Sequence, residues 1–179
     1  MCHIAKKNSY SKEIKAFDCG NKHFTDFINC ADDYGTAYLF VERQDNGNNN
    51  LIGFVSYCCG SLKLEGDVCP AVEIKLFAVD KKYQGQKIGN KSVAQYIMDS
   101  CFMLFNAISV KYIRADYVLL HSTDERATAF YSKIGFKEIS NEIVVVKDGE
   151  IIENIDSNKS LSGMFETNCK AMFISIKKN

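Results

Sequence analysis

Apolar positions change their period several times along the chain, and each change marks an element. After Asn21, Phe24, Phe27, Ile28 and Ala31 recur at helical spacing, which predicts a capped helix over 22–34. Residues 38–42 and 51–57 are β-rich runs separated by the polar tract 44–50, whose Asn-Gly step favours positive φ; together they predict a hairpin. Residues 60–70, rich in turn formers, read as a connection. In 71–79 alternation returns, with Glu73, Lys75 and Phe77 on one face and Ile74 and Leu76 on the other. From Ile88 the period becomes helical again through Ala94, Ile97, Cys101, Leu104, Phe105 and Ile108, a helix of about five turns. A β pattern over 112–120 precedes Asp124, which caps a short helix bearing Ala127, Phe130, Tyr131 and Ile134 and ended by Gly135. Residues 143–146 and 170–176 read as closing strands, with a tight turn at Asp148-Gly149. Helices interleaved with strands in this order predict an α/β (α+β mixed) fold: a mixed sheet with helices on both faces.

Composition narrows the class. A chain of 179 residues is the size of one folding unit over 1–179, and 46% hydrophobic residues with a single proline exclude disorder as its main theme. Twenty-two basic residues balance twenty-two acidic ones, so no global field draws the molecule to nucleic acid or an anionic membrane, and such a partner requires a local patch. No apolar run approaches the roughly 20 residues that span a bilayer, and residues 1–10 lack a signal's apolar stretch, so no membrane partner and a cytoplasmic location are expected. Eight cysteines without C-x-x-C spacing are expected as reduced thiols; His3, His23 and His121 are far apart and no metal is assigned.

The chemistry concentrates in Asp80-Lys81-Lys82-Tyr83-Gln84-Gly85-Gln86-Lys87-Ile88-Gly89, a polar turn read as opening directly onto a helix N-terminus. Free N–H groups and the helix dipole converge in such a place and hold a phosphate or pyrophosphate, with Lys81, Lys82 or Lys87 adding charge. Taken alone, two glycines in a loop are usually only a turn.

Residues 76–89, followed some forty residues later by Asp124-Glu125-Arg126-Ala127-Thr128-Ala129-Phe130-Tyr131-Ser132-Lys133-Ile134-Gly135-Phe136, resemble the GNAT family of acetyl-CoA-dependent N-acetyltransferases. The first piece is similar to the family's Arg/Gln-x-x-Gly-x-Gly/Ala pyrophosphate loop and the second to its Asn-x-x-Ala-x-x-Phe-Tyr-x-x-x-Gly-Phe signature. The resemblance implies a central, mostly antiparallel sheet. It also implies an acetyl-CoA site formed by Phe77, Ala78, Val79, Gln84, Gly85, Gln86, Lys87, Ile88, Gly89, Asn90, Asp124, Ala127 and Phe130. Upstream, Phe17-Asp18-Cys19-Gly20-Asn21 before an amphipathic helix resembles the start of the GNAT toxins of bacterial toxin–antitoxin pairs. That likeness implies acetylation of the α-amino group of aminoacyl-tRNA, a small ribbon-helix-helix antitoxin as partner, and a homodimer.

Three departures stand out. Lys87 occupies the family's first glycine; positive φ there would cost about 1–2 kcal/mol, so a right-handed conformation offering its N–H to the pyrophosphate is expected. Asp124 replaces the usual asparagine, keeping the cap and losing one donor to the pantetheine arm. The stretch 139–167 is long for such toxins and is a place for a lid or an oligomer contact.

Acetyl transfer from a thioester requires a neutral amine, a stabilised oxyanion and a protonated leaving thiolate. The resemblance implies that main-chain groups of Phe77 and Val79 align pantetheine and that Tyr131, with an ordinary pKa of about 10, is the general acid. Glu73 lies where several family members carry a basic carboxylate; the alternative is a solvated ion pair with Lys75. Three functions stay open: an aminoacyl-tRNA acetylating toxin, an acetyltransferase of a small amine, polyamine or protein lysine, and a catalytically silent acetyl-CoA-binding module.

Overall fold

The computed structural model describes residues 2–6, 10–45, 47–64, 67–139, 145–147, 150–152 and 170–176. In chain order its elements are β1 (Cys2–Lys6), α1 (Ser11–Ala16), α2 (Lys22–Phe27), a 3-10 segment (Ile28–Tyr34), β2 (Thr36–Arg43), β3 (Asn49–Leu64), β4 (Asp67–Val79), β5 (Lys87–Ile88) and β6 (Lys91–Ser92). There follow α3 (Val93–Lys111), β7 (Tyr117–Ser122), α4 (Glu125–Lys133), β8 (Lys137–Glu138), β9 (Val145–Lys147), β10 (Glu150–Ile152) and β11 (Lys170–Ser175). The chain forms two compact units, Met1–Cys58 with Lys75–Phe102, and Cys59–Ile74 with Met103–Asn179.

In the first unit the strand order is β1-β2-β3-β4. β1 and β3 both run antiparallel to β2, with a bulge at Phe40/Val41. Leu39, Phe40 and Val41 are buried in succession because both faces of β2 are covered. On one face Ile14 of α1, Phe17, Ile28 and Ala31 pack with Leu39, Phe54, Leu76 and Ala78, and the Phe17 ring meets Phe54 edge-on at 5.5 Å. On the other, Gly53 lies under Ile97 of α3: a Cβ there would stand 3.1 Å from Ile97 Cδ1 and 2.6 Å from the Ala78 carbonyl oxygen. Only glycine lets β3, β4 and α3 approach this closely.

In the second unit β4 pairs parallel with β7, from Ala71↔Tyr117 to Ile74↔Leu120. β11 pairs antiparallel with both β7 and β8, β9 with β10, and β3 with β9 through Leu62↔Val145. The connection from β4 to β7 contains α3, the crossover a parallel pair requires. Leu62, Ala71 and Leu119 form the buried centre, with Tyr117, Ile139 and Phe173 packed against it. The fold is therefore mixed α/β, as the pattern of elements implied, with the mostly antiparallel sheet that the family resemblance implied.

Several boundaries differ. The expected helix over 22–34 is α only to Phe27; Cys30 (φ −113°, ψ 17°) leaves the helical region and the rest is 3-10. Of the expected connection over 60–70, residues 60–64 are instead the end of β3 and 67–70 the start of β4, with 65–66 outside the described residues. Gly60 marks close approach rather than a turn, since a Cβ there would lie 3.1 Å from Glu73 Cβ. The long helix begins at Val93, not Ile88, and continues to Lys111, so the following strand begins at Tyr117. Counting whole-helix composition rather than unbroken apolar runs, α3 is long and apolar enough to cross a membrane, with one third of its residues buried. Its buried residues Ile97, Met98, Cys101 and Phe105 mark it as a core helix. The expected turn at 148–149, part of the 143–146 strand and most of 139–167 lie outside the described residues.

Candidate active site

The loop after β4 belongs to the first unit, and main-chain turns and carboxylates shape it. Tyr83 N–H donates to Asp80 O at 2.9 Å and Gln86 N–H to Tyr83 O at 3.2 Å, while Gly85 (φ +78°) supplies the left-handed step. The chain then forms a small hairpin, with Lys87 opposite Ser92 and Ile88 opposite Lys91. Its two-residue turn, Gly89-Asn90, has Gly89 at φ +61°, and Val93 N–H closes the base by donating to Gln86 O at 3.0 Å. This corrects two expectations. The loop does not open directly onto the helix, because β5 and β6 intervene, and Lys87 is in an extended strand rather than a right-handed turn. The physical reason is that both left-handed positions fall on Gly85 and Gly89, so Lys87 never bears the strain that its side chain made costly.

Gln84, Gly85, Gln86, Lys87, Ile88, Gly89 and Asn90 are thus together on one exposed excursion. The Gln84 amide donates to Val79 O at 2.9 Å and to Cys19 O at 2.8 Å, so this side chain fastens the loop to β4 and to the segment before α2. Gln86 Nε2 donates to Lys82 O. Tyr83 donates its hydroxyl to Glu42 Oε2 at 2.9 Å; burial, helped by that carboxylate, pushes its pKa up to about 12. Of the lysines expected to add charge, Lys81 is engaged by Asp18, whereas Lys82 and Lys87 are exposed; the neighbouring Lys91 is engaged by Asp99. At the end of β4, Ala78 and Val79 are buried and Phe77 is half-buried. The parallel ladder with β7 stops at Ile74.

The second unit carries the other signature. Asp124 caps α4, its carboxylate accepting from Ala127 N–H at 2.7 Å, and Thr128 Oγ1 donates to Asp124 O at 2.9 Å. Thr128 also bonds Ser122 of β7 at 2.7 Å. Tyr131 is 7% exposed; its ring meets Phe130 at 5.2 Å and Phe136 at 5.6 Å, both edge-on. Gly135 at φ +104° ends the helix, and Phe136 N–H returns to Tyr131 O at 3.0 Å. Phe130, Tyr131 and Phe136 of the signature thus form an aromatic packing unit that fixes the phenol's ring. Glu73, half-buried on β4 opposite Leu119 of β7, occupies the space that Gly60 leaves open, where a Cβ would stand 3.4 Å from its Oε2.

The sequence reading missed Asp80. It is 3% exposed, and its two oxygens accept main-chain N–H groups of Asp18 (3.1 Å) and Lys82 (2.9 Å). An aspartate opening a turn of charged residues was the available signal, but its burial is a tertiary fact.

Residues 35–138 match the acetyltransferase (GNAT) domain family, more than half of the chain. The protein belongs to the GNAT acetyltransferases, enzymes that take the acetyl group from acetyl-CoA and pass it to an amine. Among solved structures, the KacTA–DNA complex is 20% identical, with 98% of this chain and 94% of that one covered and a TM-score of 0.66. AtaTR bound with acetyl-CoA is 17% identical, covering 98% and 92%, with a TM-score of 0.64. AtaT complexed with acetyl-methionyl-tRNAfMet is 16% identical, covering 98% and 94%, with a TM-score of 0.65. No protein of curated function matches the sequence.

Proposed function

We propose that this protein transfers acetyl from acetyl-CoA to the α-amino group of an aminoacyl-tRNA and acts as a growth-arresting toxin held in check by a small ribbon-helix-helix antitoxin. The observation that carries this reading is the extent of the likeness: the match to AtaT complexed with acetyl-methionyl-tRNAfMet covers 98% of this chain at a TM-score of 0.65, well beyond the family match over 35–138. In this reading the main chain of Gln84–Asn90 holds the coenzyme's pyrophosphate, and Lys82 and Lys87 add positive charge. The amine nitrogen attacks the thioester carbonyl carbon, and the C–S bond breaks as the oxyanion collapses. Tyr131 gives its phenolic proton to the departing sulfur, and the proton lost by the amine passes to Glu73 or to water. The copy number is proposed as two, after the toxin resemblance, with a cytoplasmic location.

A second acceptor class, a small amine, polyamine or protein lysine, is favoured by one observation. Net charge is zero, and Lys81 and Lys91 of the loop's basic rim are each held by a carboxylate, which leaves less positive charge for tRNA phosphates. Induction in a growing bacterium separates the two. Arrest by the intact protein with none by Tyr131→Phe, together with acetylated aminoacyl-tRNA in extracts, supports the toxin. Unimpaired growth with acetyl-CoA turnover on free amines moves the acceptor to the second class.

A further inference from the structure

We infer that Asp80 is the positioning residue of the coenzyme loop, a buried carboxylate that clamps the loop to the Asp18–Gly20 segment so that the two are ordered as one polar unit. The inference rests on the loop reading above and extends it to residues that touch no phosphate.

The clamp is built from contacts within the first unit. Asp80 N–H donates to Ile52 O at 2.8 Å, which fixes its backbone to β3. Asp80 Oδ2 accepts from Asp18 N–H and Oδ1 from Lys82 N–H. Lys81 N–H donates to Asp18 O at 2.8 Å, and the Asp18 carboxylate accepts from Lys81 Nζ at 2.5 Å and from Gly20 N–H at 2.8 Å. Gln84 adds its bond to Cys19 O. Every loop residue from Lys81 to Gln84 therefore bonds to the 18–19 segment or to Asp80, Tyr83 through its N–H to Asp80 O with its hydroxyl on Glu42.

The two oxygens of Asp80 face donors only. A carboxylate satisfies both, whereas a carboxamide must turn an NH₂ group toward one N–H, whichever way it is flipped, and lose that bond inside a buried site. Asp80→Asn is nearly isosteric, so it tests the chemistry of the clamp rather than its volume. The Asp18–Lys81 pair is exposed and contributes less by itself. Its importance is that it closes the clamp from the solvent side, and its pairing lowers the Asp18 pKa and raises that of Lys81.

The test is acetyl-CoA titration by calorimetry, with steady-state kinetics and hydrogen exchange, on the full chain. Asp80→Asn is expected to weaken acetyl-CoA binding about tenfold or more, the defect falling on KM for acetyl-CoA more than on kcat. In the intact protein, acetyl-CoA is expected to slow exchange at the amides of Asp18, Gly20 and Lys82 as well as in the loop; loop protection without it at Asp18 and Gly20 overturns the clamp. If Asp80→Asn fails to fold, Asp18→Asn and Lys81→Met replace it: weakened binding restored by Lys81→Arg supports the clamp, and unchanged binding in both refutes it. Gly89→Val, which strains the hairpin turn itself, separates the two levels of argument. Binding weakened by Gly89→Val but not by Asp80→Asn removes the clamp and leaves the loop reading standing. No binding of acetyl-CoA by the unaltered protein removes both.

Discussion

The loop after β4 and the α4 signature are held by opposite means. Around Asp80 the contacts are directional: carboxylate and amide groups meet particular N–H and C=O groups, so an atom's identity matters more than its volume. Around Tyr131 the ring is met edge-on by Phe130 and Phe136, so ring shape matters more than the identity of any one atom. A loop that lies exposed cannot be fixed by an apolar core, whereas the packing of a buried ring rests on its shape.

That contrast is sharpest at Tyr131. Tyr131→Phe keeps the ring and removes only the hydroxyl, so under the proposed acid role kcat is expected to fall about 10²–10³-fold with acetyl-CoA affinity and melting temperature nearly unchanged; undiminished turnover removes the acid role. Next in size is Gly53→Ala. It drives a methyl against the Ala78 carbonyl beneath the loop, and a loss of about 1–3 kcal/mol in denaturant unfolding is expected. A neutral result would show that β3 and β4 yield at that point. On the α4 side, Asp124→Ala is expected to cost about 1 kcal/mol through the lost cap, and Asp124→Asn to cost far less because Oδ1 still accepts from Ala127 N–H.

The smallest effect belongs to the exposed Asp18–Lys81 pair. The Asp18 pKa lies below its ordinary 3.8, so its contribution is present above that value and is lost as pH falls through the lowered pKa. The Lys81 pKa lies above 10.5, so its contribution is complete below 10.5 and is lost as pH rises through the raised one. The difference in melting temperature between the intact protein and Lys81→Met should therefore be constant over roughly pH 5–9 and shrink beyond both ends. A difference that varies within that plateau would assign it to another titrating group.

Much of this was legible beforehand where local chemistry decides. Asn21 caps α2, with its side chain accepting from His23 and Phe24 N–H, and Asp124 caps α4, because capping depends on a few neighbouring residues. Gly135 stops α4 for the same reason. The hairpin around Gly47 was visible, though its strands run further than the apolar pattern showed. Gly60 misled because glycine in a strand and glycine in a turn look alike until the neighbour, here Glu73, is known. The β5–β6 hairpin was hidden inside a helical period because its strands are two residues each, too short to express alternation.

The sequence by itself determined the class of protein, since two motifs in order, one in the loop after β4 and one on α4, specify an acetyltransferase, and periodicity places the core residues. Tertiary structure alone decided which polar side chains are free to act. Gln84 and Asp80 appear in the sequence only as members of a polar turn, yet one is bonded to two carbonyls and the other is buried under two amides 62 and two positions away in sequence. Hydrogen bonding across such separations depends on where β3, β4 and the entry to α2 come together, and no local pattern encodes that meeting.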